Sequence, residues 1–127
     1  MLLNDSSKKL FEKKLLLLVH HHADVDAVAS AIALQTVFED AIICAPDKVS
    51  SHGQKIAEFN EIDILMEPPK KWEGTVIALD SPNPEHCSPV PKAQNMIVID
   101  HHTKIEGWPE GTEVIHQPNK TSTAEIL

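Results

Sequence analysis

Three short, largely apolar runs in this chain each end abruptly in a histidine or a carboxylate. Leu15-Leu16-Leu17-Leu18-Val19 is followed by His20, Thr75-Val76-Ile77-Ala78-Leu79 by Asp80, and Met96-Ile97-Val98-Ile99 by Asp100-His101-His102. Short continuous apolar runs with polar boundaries read as strands buried on both faces, the pattern of a parallel sheet. Two further runs fit the same description: residues 41–45, stopped by Pro46, and residues 62–66, stopped by Pro68 and Pro69. Between the first two strands the stretch from Asp24-Val25-Asp26 predicts a helix to about Phe38. Asp24 suits its N-cap, and Val25, Ala27, Val28, Ala31, Ile32, Leu34 and Val37 make it apolar almost all round, hence buried. A second short helix is expected over residues 53–60. Strands alternating with helices predict an α/β fold, a mostly parallel five-stranded sheet flanked by helices.

The remaining segments are less regular. Residues 1–13 read as a polar, helix-capable lead-in. Pro82, Pro84, Pro89 and Pro91 break up the connection between the fourth and fifth strands, and Gly107, Pro109, Gly111 and Pro118 do the same further on. Thr121-Ser122-Thr123 is an N-cap cluster for a helix that has run only four residues at Leu127. The expectation is a single domain over residues 1–127 that is cut or ends early. The length of 127 residues suits one domain with a real core.

Composition removes several function classes. The 11 Lys+Arg against 19 Asp+Glu leave a net charge of −8, the wrong sign for a protein held on duplex nucleic acid by bulk charge. A small anionic substrate stays compatible, because a bound cation reverses the sign locally. No apolar run approaches the roughly 20 residues of a membrane helix, so no membrane partner is expected. Lys8, Lys9, Lys13 and Lys14 before the Leu15 run resemble a signal peptide faintly. The run, however, is only five residues, and three histidines follow it where a cleavage site would need small residues. Cys44 and Cys87 form neither a metal-type pair nor a disulfide framework, and a reduced, cytoplasmic setting is expected.

In an open parallel sheet, ligands bind beyond the carboxyl ends of the strands. Residues just past three such strands therefore share one rim. Two carboxylates about 4 Å apart repel by about 4 kcal/mol at an effective dielectric of about 20. Gathered there, Asp24, Asp26 and Asp80 need protons or cations between them. With histidines alongside, the mixed donors suit Mn²⁺, Fe²⁺, Co²⁺ or Zn²⁺ better than Ca²⁺. Asp24 and Asp26, two residues apart at a strand-to-helix turn, can face different ions, and Asp80 can bridge them. Ions about 3.5–4 Å apart commonly activate water in phosphoryl chemistry. The helix N-terminus, with Ser30 one turn beyond Asp26 on the same face, favours a phosphate beside them.

Each element also has a plainer reading. Asp24 alone is a helix cap, Asp80-Ser81-Pro82 a turn, His20-His21-His22 a solvated loop. It is the ordered repetition of strand then polar cluster that lifts the pattern above its parts. His52, His86 and His116 lack that placement and read as surface residues. Lys70, Lys71 and the N-terminal lysines read as solvated, and Trp72 and Trp108 as covers for core edges.

Taken together, these residues resemble the DHH phosphoesterase family. Leu16-Leu17-Leu18-Val19-His20-His21-His22-Ala23-Asp24-Val25-Asp26-Ala27 is similar to its first motif and Ile77-Ala78-Leu79-Asp80 to its second. Asp100-His101-His102 is similar to the tripeptide that names it, and Thr121-Ser122-Thr123-Ala124-Glu125-Ile126 to the stretch that follows.

The resemblance implies a metal-dependent phosphoesterase with a two-metal mechanism. It implies one divalent ion on His20, Asp24 and Asp80, and a second on Asp26, Asp80 and His101. The ions would be Mn²⁺, with Mg²⁺ or Co²⁺ as alternatives. It gives Asp80 and His102 catalytic roles, places the substrate phosphate against His102, with Ser30 beside it, and has Asp100 support the histidines. Substrates would be small phosphorylated molecules or short single-stranded oligonucleotides, as in exonuclease-like members. A nucleotide- or metal-binding regulatory module without catalysis, and a pyrophosphatase or exopolyphosphatase, are the rival readings. Ala29 stands where the family often has Gly. The family's fourth metal-binding Asp and its C-terminal substrate-binding domain would fall beyond Leu127. Two divalent ions bring +4 against the −3 of Asp24, Asp26 and Asp80, so a weak second site is expected. An open sheet edge also makes a homo-oligomer an expectation.

Overall fold

The computed structural model describes residues 14–20, 22–23, 25–46, 48–81, 83–87, 89–100 and 105–116. The strands are β1 (Leu15–Leu18), β2 (His22–Ala23), β3 (Ile42–Cys44), β4 (Lys48–Val49), β5 (Ile64–Leu65), β6 (Lys71–Leu79), β7 (Lys92–Asp100) and β8 (Glu113–His116). The helices are α1 (Val25–Val37) and α2 (Ser51–Phe59), with a 3₁₀ turn at Pro84–Cys87. Six strands form one sheet in the order β5-β3-β1-β6-β7-β8. Every neighbouring pair in it is parallel. β2 and β4 make a separate two-stranded parallel pair.

The sheet is thus entirely parallel and has one strand more than the five expected. β8 is the addition, a four-residue strand within the segment read as irregular. The N-terminal lead-in and the helix after Thr121-Ser122-Thr123 lie outside the described residues.

The Leu run makes β1 the centre of the sheet because both of its faces are covered. Leu15, Leu17 and Val19 join Ile43, Ile77, Leu79, Ile97 and Ile99 beneath Ala27, Val28, Ala31 and Leu34 of α1 and Ala57 of α2. Leu16 and Leu18 point the other way, joining Cys44, Val76, Ala78, Cys87 and Val98. Trp72, Val90, Ala93, Met96, Ile105 and Trp108 pack onto that second cluster, so both tryptophans cover core edges. Leu16, Leu17 and Leu18 are fully buried. Each such side chain contributes about 1.5–3 kcal/mol relative to exposure, and this is what seats the run at mid-sheet.

α1 matches the predicted helix closely. α2 begins two residues before the predicted start, where Ser50 caps it by accepting a hydrogen bond from the Gly53 N–H at 3.0 Å. Among the described residues no helix is long and apolar enough to cross a membrane.

Candidate metal centre

The connectivity singles out one place on the sheet. From β1 the chain moves outward through β3 to β5, then returns to the other side of β1 at β6 and continues to β7 and β8. The connections leaving β1 and β6 therefore diverge, and a crevice opens between the carboxyl ends of these two strands. β1 and β6 pair in register up to Leu18↔Ala78. Two residues further along that register, His20 stands opposite Asp80.

The side chains meet there. His20 Nε2 lies 3.8 Å from Asp80 Oδ2, with His20 19% and Asp80 7% exposed. That separation is longer than a direct hydrogen bond. A divalent ion holding an imidazole nitrogen and a carboxylate oxygen at about 2.0–2.2 Å each can bridge it. In donor type, spacing and burial, the pair fits a metal.

Main-chain bonds hold both partners in place. The Val19 N–H donates to the Cys44 carbonyl at 3.0 Å, fixing the chain one residue before His20. The Asp80 N–H donates to the Ile99 carbonyl at 3.0 Å, and Asp80 adopts a left-handed φ of 56°. Asp tolerates that region better than most residues, and the kink turns its carboxylate out of the sheet at the strand end. The buried Ser81 hydroxyl donates to the Leu79 carbonyl at 3.2 Å and tightens the same kink.

Asp26 lies in the first turn of α1 and is partly buried. The Ser30 hydroxyl donates to the Asp26 carbonyl at 2.7 Å and approaches Asp26 Oδ1 at 3.5 Å, with Ser30 fully buried. Ser30 therefore touches the carboxylate expected to hold an ion, rather than lying open in the crevice. Asp100 ends β7 and is fully buried.

Asp24, His101 and His102 lie outside the described residues, as does Thr121-Ser122-Thr123. Among the described residues no group of three or more His, Cys, Asp or Glu comes together as an ion site. The described part of the expected set is thus the His20–Asp80 pair, with Asp26 on the neighbouring helix start.

His116 is the rim residue that sequence reasoning passed over. It ends β8 in register with Asp100, so its backbone stands at the same carboxyl edge of the sheet. The signal was there in weak form: two apolar residues, Val114 and Ile115, followed directly by a histidine. His52 is exposed, as expected.

A sequence model of the DHH family, N-terminal domain, matches residues 14–127. Among curated proteins none matches the chain. A solved structure, described as that of a Methanococcus jannaschii putative family II inorganic pyrophosphatase, is similar in fold. Its TM-score is 0.68 at 19% identity, over 86% of this chain and 35% of that one. This chain thus spans about a third of the length of that relative.

Proposed function

The chain belongs to the DHH family, and we propose that it carries the metal-binding half of a phosphoesterase that hydrolyses phosphate esters of nucleotides or short oligonucleotides. Family membership supports the coarser class, a divalent-metal-dependent hydrolase acting at phosphorus. The observation that carries the reading is the His20–Asp80 pair at the switch point of the sheet, 3.8 Å apart and mostly shielded from water.

In this proposal His20, Asp24 and Asp80 would hold one divalent ion, and Asp26, Asp80 and His101 a second. Bound there, such ions supply an activated water and neutralise charge developing on the phosphoryl oxygens. The chain's own contribution is placement. Asp80, held by its left-handed backbone and the bond to Ile99, would serve both ions without having to reorganise. Ser30 steadies Asp26 through the carbonyl and carboxylate contacts. His102 would meet the substrate phosphate, and the buried Asp100 would hold the histidines that follow it.

A pyrophosphatase is the second reading, favoured by the fold shared with a structure described as a putative pyrophosphatase. Both readings predict Mn²⁺ binding that Asp80→Ala removes, measured by titration calorimetry. Turnover then separates them, since the first expects hydrolysis of a dinucleotide and the second of pyrophosphate. Unchanged Mn²⁺ affinity in Asp80→Ala would refute both.

A further inference from the structure

We propose that the β5 edge of the sheet is a docking surface for an extended, basic and partly apolar segment of another protein. β5 ends the sheet and has a strand neighbour on one side only, β3, among the described residues. Beside it the chain exposes apolar side chains, with Leu65 44% and Met66 39% exposed. A cavity of about 610 Å³ runs between the end of α2 and β5, its walls including Ala57, Ile64 and Met66 together with Glu58, Glu61 and Asp63. An apolar patch bordering an open strand edge is the form taken by sites that accept an added strand.

Charge selects the occupant. Glu58, Glu61, Asp63 and Glu67 are all exposed around the patch. A second copy of this chain docked about a two-fold axis would set those carboxylates against their own counterparts, which costs affinity. A segment alternating Lys or Arg with apolar residues meets the carboxylates with one face and the Leu65–Met66 patch with the other.

The test uses two labelled ten-residue peptides, one alternating Lys with Val and one alternating Glu with Val, titrated against the 127-residue chain by fluorescence anisotropy. The basic peptide should bind at least about tenfold more tightly than the acidic one. Met66→Ser, and separately Glu58→Lys with Glu61→Lys, should each weaken it about tenfold or more. Glu106→Lys with Glu110→Lys, the same charge change at a distance from β5, should leave it unchanged. Three results would overturn the proposal: equal affinity for both peptides, equal loss with the distant pair, or sedimentation showing a dimer that Met66→Ser dissociates. The last would make a second copy the occupant.

Discussion

His20 and Asp80 stand opposite each other at the ends of β1 and β6, with Nε2 and Oδ2 3.8 Å apart. They are 60 positions apart in the sequence, and only the reversal of strand order brings them together. Asp80 also has a left-handed φ of 56°, so substitutions there have two separable effects. Asn accepts that backbone region, whereas Val does not. Asp80→Asn should therefore melt close to the parent while losing more than about 100-fold in Mn²⁺ affinity, beyond the usual effect of a supporting residue. Asp80→Val should lose affinity and also melt earlier. Calorimetric titration beside thermal melting distinguishes the two effects.

Ser30 is the interior support of Asp26, donating to its carbonyl at 2.7 Å. Ser30→Ala exchanges one hydrogen bond for better helix propensity, so stability should change by less than about 1 kcal/mol. Mn²⁺ affinity should fall by up to about tenfold as the Asp26 carboxylate loosens. If the hydroxyl acted on substrate instead, KM would rise at saturating Mn²⁺. With a positioning role, saturating Mn²⁺ restores the parent KM.

Much of this arrangement was legible before any coordinates. A strand covered on both faces must be apolar at every position, so residues 15–19, 75–79 and 96–99 declared themselves. Their polar ends then marked the rim. What stayed hidden were strands that earn their place by pairing rather than burial. Lys71 and Glu73 extend β6 downwards as exposed residues, and Lys92 and Gln94 do the same for β7. β8 has just two apolar residues flanked by Glu113 and His116. β2 and β4 pair over two residues each, too few for any periodicity. The strand order, which decides that His20 meets Asp80, is a long-range property that no local pattern encodes.

Gly74 reports on those hidden extensions. It sits where the β6–β7 register shifts between Trp72 and Thr75, with φ of 151°. A Cβ there would collide with the Lys14 carbonyl oxygen, the group that accepts from Trp72 Nε1 at 3.2 Å and from the Thr75 N–H at 2.9 Å. Gly74→Ala must displace the start of β1. A loss of about 2 kcal/mol or more is expected, seen as a lower urea midpoint with an unchanged slope.

Among the described residues Glu61 occupies the other left-handed non-glycine position, φ 56°, just after α2. The Ile62 N–H donates to the Ala57 carbonyl at 2.9 Å and the Glu61 N–H to the Glu58 carbonyl at 3.1 Å, the pattern of a Schellman cap in which glycine is usual. Glu61→Gly should stabilise the fold by about 0.5–1 kcal/mol. It also removes one carboxylate from the β5 patch. A higher melting temperature combined with weaker binding of the Lys-Val peptide is the expected result.

Cys44 and Cys87 give the molecule an alkaline limit. Both thiols are fully buried in the second core cluster. Burial raises Cys44 from 9.0 to about 11, and raises Cys87 to about 12 despite an opposing hydrogen bond with Ser81. The folded chain thus keeps protons that the unfolded chain gives up first. The stability tied to them is complete below about pH 9. It drains away as the pH climbs toward the folded values, because the unfolded state alone gains by ionising. The urea midpoint should accordingly fall as the pH rises from about 9 toward about 11 to 12, and Cys87→Ala should flatten that fall. At pH 8 a thiol shifted up by two pKa units presents about 100-fold less thiolate. Iodoacetamide should therefore label the folded chain at least that much more slowly than the chain in urea. Rapid labelling of the folded protein at pH 8 would show that the second face of the sheet is open to water.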